Sequence, residues 1–320
     1  MNRAEPPRGR TGPTLSRRTW LAGALASAAA TRAQGADERE AVEAEERARA
    51  KGLKPFRTLR SKHYVAVGNA PEEYLRITLL DCEDVARDFI EQFQVNGFKV
   101  AYPAKRMTAV VLEDERAYAR FVPERTPHGA NGIYVPKANW LVVQDFRSVP
   151  RAHSDVPVWA DNLRTLSHEA THQLTYNTGL LNREGDVPRC VSEGLGLYGE
   201  IRRPRTRSLP GQLNRTRLSD LAHYRRGLGW IPLSRLITDE SWFGAPDGGK
   251  ILLSYAESWL LVHYMMADTG RAAAFRKYLE AIYGRRAGDL RLNDARTHLG
   301  DLEKLDGELK QYSVQLLKSG

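Results

Sequence analysis

Two histidines spaced four residues apart, His168 and His172, enclose Glu169, and another glutamate, Glu193, comes after twenty intervening residues. On an α-helix, side chains four apart lie one turn above each other, so both imidazoles reach one metal ion while Glu169 projects beside it. Zn²⁺ accepts imidazole nitrogen at about 2.0–2.1 Å and carboxylate oxygen at about 2.0–2.2 Å, and three protein ligands leave a fourth position for water. The pKa of that water falls from about 15.7 toward about 7, and a carboxylate at Glu169 then takes its proton. The pattern points to one Zn²⁺ held by His168, His172 and Glu193, with Glu169 as the base. The alternative reading of the two histidines is as polar residues on a helix face; Glu193 is what favours the site.

The elements that must position these residues are legible. Trp159, Leu163, Leu166, Ala170 and Leu174 recur at three- and four-residue steps, Ser154 or Asp155 offers a cap, and Gly179 offers a stop. A second helix is expected to start at Pro188 and run through Glu193 to Tyr198, reached by the polar loop 182–186. Gly194 and Gly196 are expected to let the two helices approach closely.

The run His168-Glu169-Ala170-Thr171-His172-Gln173-Leu174, with Ser192-Glu193-Gly194-Leu195, resembles the gluzincin (peptidase MA-like) metallopeptidases. More narrowly it resembles a bacterial gluzincin-like family of unknown function in which Tyr255-Ala256-Glu257-Ser258-Trp259 has a counterpart. The resemblance covers roughly residues 56–315. It implies zinc ligation by His168, His172 and Glu193, Glu169 as general base, and a peptide or protein substrate. Two family features are missing: Cys190 and Val191 stand where the aminopeptidase branch has an aromatic residue, and Leu197 stands where many members have an acid four after the third ligand.

Such hydrolysis needs a hydrogen-bond donor for the developing oxyanion. Gluzincins place a Tyr or His on a later helix, and Tyr255 is the candidate here. Ser254 and Glu257 have capping-box spacing, which predicts Tyr255 in a first helical turn; the alternative is a core aromatic. Tyr198 and His263 lie in more apolar stretches. Two competing functions are a protein that binds zinc without turnover, and a module that binds anionic partners through Arg202, Arg203, Arg205, Arg207, Arg215, Arg217, Arg225 and Arg226. A nucleic-acid partner is not expected, since no nucleic-acid-binding motif accompanies these arginines.

Residues 1–33 read as a twin-arginine signal peptide: Arg17-Arg18, a short run of small and apolar residues, then Thr31-Arg32-Ala33. That predicts a periplasmic or secreted bacterial protein, and no later stretch reads as a transmembrane helix. The chain carries net +9, but the six Arg and one Glu of residues 1–33 leave 42 basic and 38 acidic residues, net +4. The basic bias therefore belongs mostly to the leader. Cys82 and Cys190 are expected either as one disulfide or as two buried thiols.

Residues 34–55 suggest a solvated, charged helical lead-in. Residues 56–150 suggest an α/β lobe with strands at 62–67, 107–112, 132–135 and 139–144 and a helix at 71–93. Residues 151–320 suggest a helical lobe, with helices at 218–224, 251–266, 271–283 and 302–317 and a loop at 239–249 that overhangs the cleft. The class is α+β, zincin-like, with a mixed sheet and the cleft between lobes. An edge strand, at 133–135 or 140–143, is expected to align substrate backbone.

Overall fold

The structure is a computed structural model and describes residues 38–122, 131–145, 147 and 157–319. The expected leader at 1–33 and the candidate caps Ser154 and Asp155 lie outside the described residues. By contacts the chain divides into residues 1–39 and residues 40–320, and the second unit holds the sheet and the candidate site.

Five strands are present among the described residues: β1 (Arg57–Arg60), β2 (Tyr64–Gly68), β3 (Met107–Leu112), β4 (Gly132–Val135) and β5 (Trp140–Gln144). They form one mixed sheet in the order β1-β2-β3-β5-β4, in which β2, β3 and β5 are parallel while β1 and β4 run antiparallel at the two edges. The central strands are buried on both faces, so they read as continuous apolar runs. Side chains alternate between the faces. Tyr64, Ala66, Met107, Ala109, Val111, Leu141 and Val143 enter the larger core. Val65, Val67, Val110, Leu112, Trp140 and Val142 face a smaller one.

That smaller core is closed by α1 (Arg39–Ala50) and α3 (Glu115–Phe121), which lie on either side of α2 (Glu72–Val95) in the sequence. Here the lead-in expectation is corrected: Ala41, Ala44 and Ala48 form a buried stripe at helical spacing, so one face of α1 packs instead of being solvated.

The larger core is built by α2 with the later helices: α4 (Val158–Asn177), α5 (Arg189–Gly199), α6 (Arg215–Leu228), α7 (Leu233–Thr238), α8 (Gly248–Met266), α9 (Thr269–Gly284), α10 (Arg291–Leu299) and α11 (Leu302–Ser319). The α+β expectation holds, a mixed sheet followed by a mostly helical part. One hydrophobic cluster runs from Tyr64 to Leu309, so the two parts share a core. The elements β1, α3, α7 and α10 are additions to the expected set. Segment 239–249 holds a 3₁₀ turn, Glu240–Gly244, in addition to loop. Among the described residues no helix is long and apolar enough to cross a membrane. Cys82 and Cys190 are both buried free thiols, which settles the open pairing question.

Candidate metal centre

Helix α4 carries His168 and His172, and its fit to the sheet explains where they point. Gln173, fully buried, donates through Nε2 to the carbonyls of Thr108 (3.0 Å) and Asn139 (2.8 Å), the starts of β3 and β5. Asn177 donates to Asn139 Oδ1 at 2.7 Å, and Tyr134 donates to the same oxygen at 2.9 Å. Asn139 adopts φ 56°, a left-handed turn that asparagine tolerates. The helix ends as expected, with Gly179 at φ 81° just past the C-cap Thr178. Leu163, Leu166, Ala170 and Leu174 are buried, but Trp159 is 53 % exposed and leaves the expected stripe. It sits in the first turn, at the edge of the core.

α5 begins after Pro188, as expected. A Cβ on Gly196 would lie 2.9 Å from His168 Cε1 and 2.9 Å from His172 Nε2, so this glycine lets α5 press against both imidazoles. Gly194 is corrected: its close neighbour is Ser258 O on α8 (2.5 Å), not the first metal helix. Gly199, outside the expected pair, completes the α4 contact, where a Cβ would overlap Thr171 Oγ1.

The three expected ligands converge. His168 Nε2 and His172 Nε2 stand 3.0 Å apart, and Glu193 Oε2 lies 3.4 Å and 3.5 Å from them. These atoms form a group that could hold a metal ion. Burial works against charge on His168, yet the hydrogen bond to Glu193 and the charges of Glu169, Glu193 and Glu200 push its pKa up to about 9. Burial likewise opposes ionisation of Glu193, and the two histidines override it, holding the carboxyl well below its ordinary value. The pocket is thus electrostatically arranged to bind positive charge.

Glu169 lies beside the group, one oxygen accepting from the Tyr134 backbone N–H on β4 at 2.6 Å. Strand β4 comes this close because Gly132 has no side chain; a Cβ there would lie 2.5 Å from Thr165 Cγ2 and 3.2 Å from Glu169 Cγ. β4 is a sheet edge, whereas β5 lies between β3 and β4. The option of 140–143 as the substrate-aligning edge is therefore removed.

Tyr255 faces the same region, but not by a first-turn position. Asp247 caps α8 through the Gly249 N–H, so Tyr255 lies two turns in, and Glu257 is buried with Oε1 accepting from Ile231 N at 3.1 Å. The expected capping box does not form. Burial, then the charge of Glu193, raises the Tyr255 pKa, while Arg189 hydrogen-bonds the phenol and opposes the rise. Phe243, in the 3₁₀ turn of segment 239–249, packs on Tyr255 at 5.7 Å and on the Arg189 guanidinium at 5.4 Å. Tyr198 accepts from Gln92 at 3.1 Å and His263 bonds Tyr312 at 2.9 Å, so both are engaged elsewhere.

Two residues near the ligands escaped the sequence reading. Arg189 Nε lies 3.5 Å from Glu193 Oε1, the oxygen turned away from the histidines. Glu200, two helical turns beyond Glu193, is buried, 3.6 Å from Arg164 Nε and 3.2 Å from Asn214 Nδ2, and adds negative charge at His168. Periodicity is the signal for both: Arg189 is four before Glu193, and Glu200 is seven after it.

The chain's comparison with other proteins agrees in extent with this region. No curated protein matches the chain. Residues 162–286, which include His168, Glu169, His172, Glu193 and Tyr255, match a family described as a protein of unknown function (DUF1570).

Proposed function

We propose that this chain is an exported, zinc-dependent hydrolase of peptide bonds, of gluzincin type. The observation that carries the reading is the triangle of ligand atoms, with edges of 3.0, 3.4 and 3.5 Å, beside the carboxylate of Glu169. In a tetrahedral site with bonds of about 2.0–2.1 Å, neighbouring ligand atoms stand roughly 3.3 Å apart. The donor set and its spacing suit one Zn²⁺, with one position left for solvent. When bound, the metal supplies an acidified water and polarises a carbonyl.

The protein's own groups do the rest. The Tyr134 N–H fixes one oxygen of Glu169, leaving the other to receive the proton of the attacking water and pass it to the leaving nitrogen. Tyr255, kept protonated by burial and oriented by Arg189, donates to the developing oxyanion. The outer edge of β4 aligns the substrate backbone, using groups other than the Tyr134 N–H that Glu169 occupies. Export rests on the Arg17-Arg18 leader, and fractionation of cells expressing the full chain tests it: mature protein outside the cytoplasm supports it, uncleaved cytoplasmic protein opposes it.

The competing reading is a metal-binding protein without turnover, favoured by the commitment of Glu169 to a backbone amide. Digestion of a proteome-derived peptide library, with and without chelator, separates the two. Chelator-sensitive cleavage that disappears in Glu169→Gln at unchanged zinc content supports the hydrolase; a zinc-loaded wild type that cuts nothing opposes it.

A further inference from the structure

A cavity of about 570 Å³ opens between segment 201–208 and the start of α6. That volume is within the range of small-molecule sites. Its wall includes Arg202, Arg203, Arg207, Arg215, Thr206 and Ser208, and among the described residues no acidic side chain lines it. The acids that balance this region stand behind the wall. Arg202, 3 % exposed, donates to Asp88 Oδ2 at 2.6 Å and to Ser208 O at 2.7 Å, and Arg207 pairs with Glu91. Asp88 Oδ2 also accepts from the Ser208 N–H at 2.9 Å, fixing the segment to α2. Two guanidiniums are thereby held in place before any ligand arrives, and Arg203 is exposed, its guanidinium committed to no acid among the described residues.

The helix at the other wall points the same way. α6 has no acid in its first turn; Arg215 there lines the cavity, whereas Arg217 pairs with Asp220 at 2.9 Å and its backbone N–H donates to the capping Asn214 side chain. The helix dipole favours an anion at that end. Arginine forks match the oxygens of a phosphate group, while the Thr206 and Ser208 hydroxyls bond within the segment and fix its shape.

We propose that this cavity binds a phosphate-type oxyanion carried on a small polar body, separately from the metal centre. The volume exceeds what a single phosphate fills, so a phosphomonoester is the better occupant.

Calorimetric titration of the full folded protein at low salt, with inorganic phosphate and with a hexose monophosphate as probes, tests this. Saturable one-to-one binding is expected, tighter for the sugar phosphate, at least tenfold weaker in Arg203→Glu, and within twofold of wild type in Arg226→Ala, an arginine on α6 outside the cavity. Equal binding of the two probes keeps the oxyanion site but assigns it to free phosphate. Absence of saturable binding, or an equal loss in Arg226→Ala, overturns the proposal, the latter because net charge alone would then explain the affinity. Thermal melts of each variant verify folding, and Arg215→Ala gives a second test at the opposite wall. Binding needs no turnover, so the outcome is independent of the hydrolase reading.

Discussion

Two buried charged clusters in this protein are built differently. Around Asp186, the guanidiniums of Arg285 and Arg291 approach at 3.0 and 2.5 Å, Asp294 takes Arg285 at 2.7 Å and Glu240 takes Arg291 at 2.8 Å; Asp88 with Arg202 and Arg87 is similar. Every charge there has an opposite charge at hydrogen-bond distance. In the metal cluster the contacts run from 3.0 to 3.5 Å, and three lone-pair donors face one another around a common point. The first kind is complete within the chain and braces segments distant in sequence. The second is a group of ligand-type atoms that could hold a metal ion, and that capacity marks it as the candidate site.

Breaking the braces and breaking the site should therefore have separable consequences. The largest effect on stability is expected from Arg202→Met, which takes from the fully buried Asp88 carboxylate its buried partner and leaves it Arg87 and the Ser208 N–H: about 1.5–3 kcal/mol lost by denaturant unfolding, with zinc stoichiometry of the folded protein unchanged. Adding Asp88→Leu should recover only part of that loss, since an apolar pair replaces the buried ion pair but leaves the Ser208 N–H without its acceptor. Glu193→Gln should do the reverse, weakening zinc on the order of 100-fold or more in a chelator competition while leaving the metal-free fold near wild-type stability or above it.

The smallest effect concerns a carboxyl with incomplete compensation. Burial raises the pKa of Asp81 to about 6, against which the charge of Arg205 works only in part. A carboxyl whose folded pKa lies above its unfolded value favours the folded state while protonated, at low pH, and that contribution fades as pH rises through about 6. Asp81→Asn should accordingly stabilise the fold at pH 8 by about 1 kcal/mol after allowance for partial exposure, read by denaturant unfolding, and the gap should close below about pH 4. A variant equally destabilised at both pH values would show that Asp81 belongs with the braces.

The same contrast explains what the sequence could disclose. The candidate metal group was legible because helical geometry makes spacing equivalent to direction: four residues place His168 and His172 on one face. The strands 107–112 and 132–135 were legible as apolar or alternating runs bounded by turns. β1 was not, because Arg57–Arg60 is an edge strand with little buried surface and no apolar alternation. The start of α8 differs from expectation since the cap is Asp247, in a Pro-Asp-Gly-Gly stretch that reads as a loop, and Ser254 instead bonds Ile251 O within the helix. Gly194 and Gly196 both announced close approach, but which neighbour each meets depends on how α4, α5 and α8 pack, and no local pattern encodes that. The arginine run was legible only as a surface for anionic partners; the tertiary fold alone brings Asp88 and Glu91 of α2 behind it.

The most direct measurement is X-ray absorption at the zinc edge on protein loaded with one equivalent of metal, paired with the Glu193→Gln variant. Four light ligands at about 2.0–2.1 Å are expected, with the multiple-scattering signature of two imidazoles, one of the four being exchangeable solvent. A spectrum containing sulfur, or one without two imidazoles, or one unchanged in Glu193→Gln, would contradict a centre built from His168, His172 and Glu193.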